Sequence, residues 1–205
     1  MRILGAVLGA AVLVFGLAAC NSASNGPQLV SAPQTTASKA SPTPSPTPTR
    51  RKPQKVVLPA DCDGVLSVAN VSHALGKPVK GKTIFLRNVA LPKIHRTGRV
   101  TCYYGVTSTI SKSPVQAGMS AYSTAEAATS RVAITVAAER SAGATALAMR
   151  IGDIPGTMLV GKSGALLVVA QGQRTIAISL AKGVGGASPQ HALNMLGGDL
   201  LAQVQ

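Results

Sequence analysis

Apolar residues run almost unbroken from Ile3 to Ala19, lose all rhythm between Asn21 and Lys55, and then fall into alternating and helical periods to the end of the chain. The first run begins after Arg2, the only charge before Lys39, and ends on the small residues Ala18 and Ala19. A charged start, an apolar centre and a small-residue stop form the pattern of a cleaved export signal. Read instead as a membrane helix, its roughly 17 apolar residues reach only the lower limit for spanning a bilayer. Gly5, Gly9 and Gly16 weaken it further as a permanent span.

From Asn21 to Lys55 Ser, Thr, Ala, Pro and Gln dominate, and Ala40 to Thr49 is of low complexity with alternating prolines. Such a stretch buries too little apolar surface to offset the entropy of ordering, and its prolines favour extended polyproline II. It reads as a spacer, closed by Arg50, Arg51, Lys52 and Lys55. That basic run is either a contact for anionic lipid or a solvated linker end.

The remaining chain carries the periodicity of a folded domain. Asp61 or Asp63 is positioned to cap a short helix through Val65, Leu66 and Ala69, with a second turn from Asn70 to Leu75 stopped by Gly76 and Pro78. Thr83–Ala90 and Arg99–Val106 have strand composition, separated by a basic loop from Lys93 to Gly98. Val115–Tyr122 is a third strand. Ser123 and Glu126 have capping-box spacing, so a helix is expected from there to about Ser141. Ala125, Ala128, Val132 and Val136 form one stripe of it, while Arg131, Thr135 and Glu139 form another. A strand at Val132–Val136 is the rival reading. Gly152–Gly156 is a turn. Gly164–Ala170 and Thr175–Leu180 are strands joined at Gly172-Gln173 as a tight hairpin. Ser188-Pro189 opens a last helix with Leu193, Leu196, Leu200 and Val204 on one stripe. Helices alternating with runs of strands predict an α+β fold: an antiparallel sheet with helices packed on it.

Composition narrows this picture. The chain has 205 residues, no Trp, and beyond the first run only Phe85, Tyr103, Tyr104 and Tyr122 as aromatics, so the core is aliphatic. The formal charge of +14 steers anionic partners toward the protein. Nucleic acid is set aside, because aromatic stacking platforms are scarce. Anionic lipid headgroups and wall polymers are the alternatives, beside a basic surface that serves solubility alone.

Leu17-Ala18-Ala19-Cys20, placed at the end of the apolar run, resembles the lipobox of bacterial lipoprotein precursors. The resemblance implies a diacylglyceryl group on the Cys20 thiol and cleavage that leaves Cys20 first. Residues 1–19 are then a signal peptide, 20–58 a lipidated cysteine and tether, and 59–205 a single domain. The implied location is the extracytoplasmic side of the cell membrane, held by two acyl chains, since one alone anchors only marginally. With Cys20 acylated, Cys62 and Cys102 are left as an even pair in an oxidising compartment, where a disulfide is the default and a metal site the rival.

The domain shows a second resemblance, carried by Cys62 before a helix ending at Leu75-Gly76, by Cys102-Tyr103 on a strand, and by the Ile151-Gly152-Asp153 turn before a hairpin. Together they look like a group of actinobacterial lipoproteins of unknown function, similar in layout to the extracellular sensor domain of a mycobacterial Ser/Thr kinase. The Ser and Thr beside proline likewise resemble the glycosylated tethers of such exported proteins.

Catalytic constellations are not legible. Asp61, Asp63, Glu126, Glu139, Asp153 and Asp199 fall at caps, turns or helix surfaces, and His73, His95 and His191 share no metal-ligand spacing. No cofactor is implied. The expected function is a non-catalytic binding or sensing module for an envelope ligand or partner protein; an envelope-acting enzyme and a structural envelope protein are the alternatives. Lys77, Lys80, Lys82, Arg87, Lys93, Arg96 and Arg99 lie in one stretch without an acid between them, a candidate anion-binding surface.

Overall fold

The computed structural model describes residues 56–186 and 188–203. All belong to the second of two compact units, Thr49–Gln205. The signal peptide, Cys20, the tether as far as Lys55, and Val204 lie outside the described residues.

Ten elements follow in order: α1 Val68–Leu75, β1 Lys82–Asn88, β2 Arg96–Val106, β3 Val115–Tyr122, α2 Ala125–Ser141, β4 Thr145–Ile151, β5 Ile154–Gly161, β6 Gly164–Gln171, β7 Arg174–Ala181 and α3 Pro189–Ala202. The strands form one seven-stranded antiparallel sheet in the order β1-β2-β3-β7-β6-β5-β4. This is the α+β architecture expected from the alternation of elements. Three strands build one half from one edge inward, and four meander back to the centre from the far edge. α2 makes the link between the halves. It must carry the chain from central β3 to edge strand β4, and so lies across one face of the sheet.

The two faces differ because side chains alternate along every strand. On one face, Val100, Met119, Ile176 and Val169 form a cross-strand row, Cys102, Ala117, Ile178 and Leu167 the next, and Tyr104, Val115, Leu180 and Ala165 the third. All are buried, and Val71 and Ala74 of α1 and Leu193, Leu196 and Leu200 of α3 close over them. This is the aliphatic core the composition demands. The disulfide between Cys62 and Cys102, with Cα atoms 5.6 Å apart, ties it to the N-terminal turn.

Local signals placed most ends. Ser188 caps α3 by accepting from His191 N at 3.2 Å, with Pro189 in its first turn. Gly76 ends α1 in the left-handed region, φ 64°, with its N–H on His73 O. Three expectations are corrected. α1 begins at Val68, capped by Ser67, whose hydroxyl accepts from Asn70 N at 3.1 Å; Asp61 instead caps a turn by accepting from Gly64 N. Thr124, not Ser123, caps α2, accepting from Ala127 N at 3.1 Å. The basic loop is shorter than expected: a helical turn at Pro92–Ile94 leads straight into β2 at Arg96, and Leu91 and Arg96 exchange backbone hydrogen bonds.

β4 and β5 were not anticipated. Only Gly152 and Asp153 separate them, and the Pro155-Gly156 pair that reads as a turn lies within β5. α2 is a helix, yet of its expected apolar stripe only Ala128 is buried, Val132 and Val136 are half-buried, and Ala125 is exposed. Among the described residues no helix is long and apolar enough to cross a membrane.

Candidate functional site: a cleft beneath α2

The face of the sheet turned toward α2 mixes polar side chains with small and apolar ones, unlike the wholly apolar core face. Its rows read Arg99, Ser120, Thr175, Ala170; then Thr101, Gly118, Ala177, Val168; then Tyr103, Gln116, Ser179, Leu166. Only Ala128 of α2 is fully buried, so the helix is not packed tightly on this floor, and open space remains between them.

Nearest the start of β2 this space is a cavity of about 290 Å³ lined by Arg96, Arg99, Ser120, Arg131, Thr135 and Thr175, among others. A second of about 460 Å³ opens toward the other end of the strands, where Tyr103, Ser163 and Glu139 contribute. Gln116, Leu166 and Ser179 line both, so the two lie side by side along one trough of the sheet.

The first cavity is strongly cationic. Arg96, Arg99 and Arg131 line it and no carboxylate does. Among the described residues the one ion pair is Arg150 with Asp153, at 3.9 Å and far from full burial. Arg99 Nε donates to Thr101 Oγ1 at 3.2 Å, which holds the guanidinium along the sheet. Arg96 Nε is buried without a hydrogen-bond partner among the described residues. Buried donors are nearly always satisfied, and guanidinium forks match phosphate and carboxylate geometry. The cavity is therefore suited to an anion, with Ser120, Thr175 and Gln116 as further hydrogen-bonding groups on its floor.

The basic stretch singled out in the sequence is divided by the fold. Arg96 and Arg99 enter the cleft. Arg87, on the opposite face of β1–β2, donates from Nη2 to Pro59 O at 2.7 Å. Lys93 sits in the turn at Pro92–Ile94. Lys82 pairs with Val106 at the far end of the hairpin, and Lys77 and Lys80 precede it there. Sequence reasoning missed Arg131, Tyr103, Gln116, Ser120, Thr175 and Ser179 as members of one site. The signal existed as alternation on three separate strands, and Arg131, Thr135 and Glu139 were visible as one polar stripe of α2.

Asp199 and Glu126 are engaged elsewhere. Asp199 accepts from Asn70 Nδ2 at 2.9 Å. The Glu126 carboxylate is held below the usual range by its own backbone N–H and then by the Thr124 hydroxyl. His95 and His191 do not line the cleft. Among the described residues no three His, Cys, Asp or Glu side chains are grouped to hold a metal ion. A third hollow, of about 720 Å³, lies at the N-terminal corner among Val57, Leu58, Val89 and Tyr122. Its lining is mainly apolar, and its one basic residue, Arg87, already bonds Pro59 O.

No family model and no curated protein matches the sequence. Among solved structures the fold is similar to the extracellular domain of PknH from Mycobacterium tuberculosis, with 11% sequence identity, 74% of this chain and 98% of that chain covered, and a TM-score of 0.50. At that identity the likeness is one of fold, and it agrees with the layout expected from Cys62, Cys102-Tyr103 and the Gly152-Asp153 turn.

Proposed function

We propose that the chain is a lipid-anchored extracytoplasmic lipoprotein whose domain works as a non-catalytic binding or sensing module, and that its ligand carries an anionic group held between Arg96, Arg99 and Arg131. Residues 1–19 export the chain, Cys20 bears the lipid, 20–58 space the domain from the membrane, and 59–205 bind. The observation that carries the reading is the cavity under α2, which three arginines line without a carboxylate. Concave sites with a few convergent polar groups are where ligands bind. The fold likeness to an extracellular domain supports the compartment.

Titration of the full chain with inorganic phosphate and sulfate tests the site. Arg99→Gln and Arg131→Gln each remove charge-assisted hydrogen bonds worth roughly 1.5–3 kcal/mol, and affinity should fall accordingly. Binding should also weaken as salt rises. Unchanged affinity in the double variant would overturn the anion reading. Mass spectrometry of the mature N-terminus tests the anchor; an unmodified Cys20 or a retained Met1 would overturn that part.

A further inference from the structure

The trough has two chemically different ends, and the second is not built for an anion. Around the 460 Å³ cavity the charged side chain is Glu139, with the Tyr103 ring and the Ser163 and Ser179 side chains beside it. A carboxylate accepts hydrogen bonds and repels anions, while serine hydroxyls both donate and accept. An aromatic ring with a polar tip offers an apolar face to the C–H side of a ligand and a hydrogen bond at its rim. Acceptors, donors and one amphipathic face together suit a polyhydroxylated neutral group, which is the chemistry of a sugar ring.

The separation of the two ends is set twice over, on independent elements. Arg99 and Tyr103 are four residues apart on β2, roughly 13 Å at strand rise. Arg131 and Glu139 are eight residues apart on α2, roughly 12 Å at helical rise. Both pairs flank the same trough, and Gln116, Leu166 and Ser179 bridge its ends. A monosaccharide phosphate is too short to engage both. A short oligosaccharide with an acidic group at one terminus is long enough.

We propose, building on the anion reading above, that the ligand is an acidic oligosaccharide: its phosphate or carboxylate lies at Arg96, Arg99 and Arg131, and a neutral sugar unit lies between Tyr103 and Glu139. Glu139 enforces polarity, because a ligand acidic at both termini would place like charges together.

The experiment is calorimetric titration of the full chain with a panel of disaccharide 1-phosphates differing in their terminal sugar, with inorganic phosphate and the matching neutral disaccharides as references. At least one disaccharide phosphate should bind about tenfold or more tightly than either of its parts. Glu139→Gln and Tyr103→Ala should remove most of that gain while leaving inorganic phosphate affinity unchanged, which also shows that the variants are folded. Arg99→Gln should weaken phosphate and disaccharide phosphate together. The proposal is overturned if no disaccharide phosphate exceeds inorganic phosphate, or if the gain survives Glu139→Gln. In either case phosphate binding that depends on Arg99 leaves the anion reading standing. A wild-type chain that binds none of the anions overturns both.

Discussion

Asn70 Nδ2 donates to Asp199 Oδ2 at 2.9 Å, joining α1 to α3 across 129 positions of sequence. Asn70 is itself held by the Ser67 cap, so the carboxylate on α3 continues the capping network of α1. Both helices lie on the core face, and their mutual contact sets how they sit over the sheet. Hydrogen bonds to charged groups contribute about 1.5–3 kcal/mol when well shielded, and this one is only partly buried. Asp199→Ala should therefore cost about 1–2 kcal/mol in urea unfolding. Asp199→Asn, which keeps an acceptor, should lose less.

The Cys62–Cys102 disulfide closes a loop of 40 residues. Chain entropy gives such a cross-link about 4 kcal/mol, a large share of a small domain's stability. The paired Cys62→Ser, Cys102→Ser variant should show a lower denaturation midpoint by a corresponding amount. Thiol labelling of the denatured, unreduced wild type should find neither cysteine free.

Gly197 and Gly198 are neighbours in α3 with opposite surroundings. A Cβ on Gly197 would meet Leu167 Cδ2 at 2.9 Å and Ile151 Cδ1 at 3.2 Å inside the core, whereas one on Gly198 meets nothing within 4 Å. Helix propensity favours Ala over Gly by about 1 kcal/mol at either site. Gly198→Ala should raise the melting temperature. Gly197→Ala should lose that gain to overpacking, which costs about 1–3 kcal/mol. Equal effects of the two substitutions would contradict the packing of α3.

Tyr104 donates its hydroxyl to Leu66 O at 2.6 Å from within the core. Burial pushes its phenol far above the usual range, so the folded state keeps the proton that an unfolded tyrosine gives up. The stabilisation is complete below the unfolded value of about 10 and declines as pH rises beyond it. Thermal unfolding between pH 9 and 11, on the order of one unit either side, should show this alkaline loss. Tyr104→Phe should be less stable at neutral pH, because Leu66 O loses its partner, and should show a shallower alkaline decline.

Of the α2 side chains only Ala128 is buried, whereas α3 buries six residues, and Ile134 of α2 is 53% exposed. Elements with little buried apolar surface open at lower free energy. Backbone amides of α2 should exchange with deuterium markedly faster than those of α3. Anions bound at Arg131 should slow α2 selectively, which links the roof of the cleft to ligand occupancy.

Several features follow from local chemistry and were readable without a fold. The caps at Ser188 and Gly76 and the Leu193, Leu196, Leu200 stripe depend on residues within a few positions of each other. Val115–Tyr122 is a strand by its own composition. The cysteine pair is left over by arithmetic, and the α+β class by the order of periods. Each involves short-range conformational preference or a simple count.

The cleft could not be read that way. Arg99, Ser120 and Thr175 stand in one row because β2, β3 and β7 pair in one register, and a one-residue slip in any of them would turn its side chains to the other face. Glu139 and Arg131 become walls of a trough because α2 must cross from β3 to edge strand β4, a route fixed by strand order and not by the helix's own residues. β5 was hidden for a related reason. Pro155 and Gly156 favour a turn locally, but pairing with β4 and β6 on either side outweighs that preference. Local sequence determined most of the helices and strands and several of their ends. Non-local hydrogen-bond registration decided which side chains meet, because that free energy exists only once distant strands are paired.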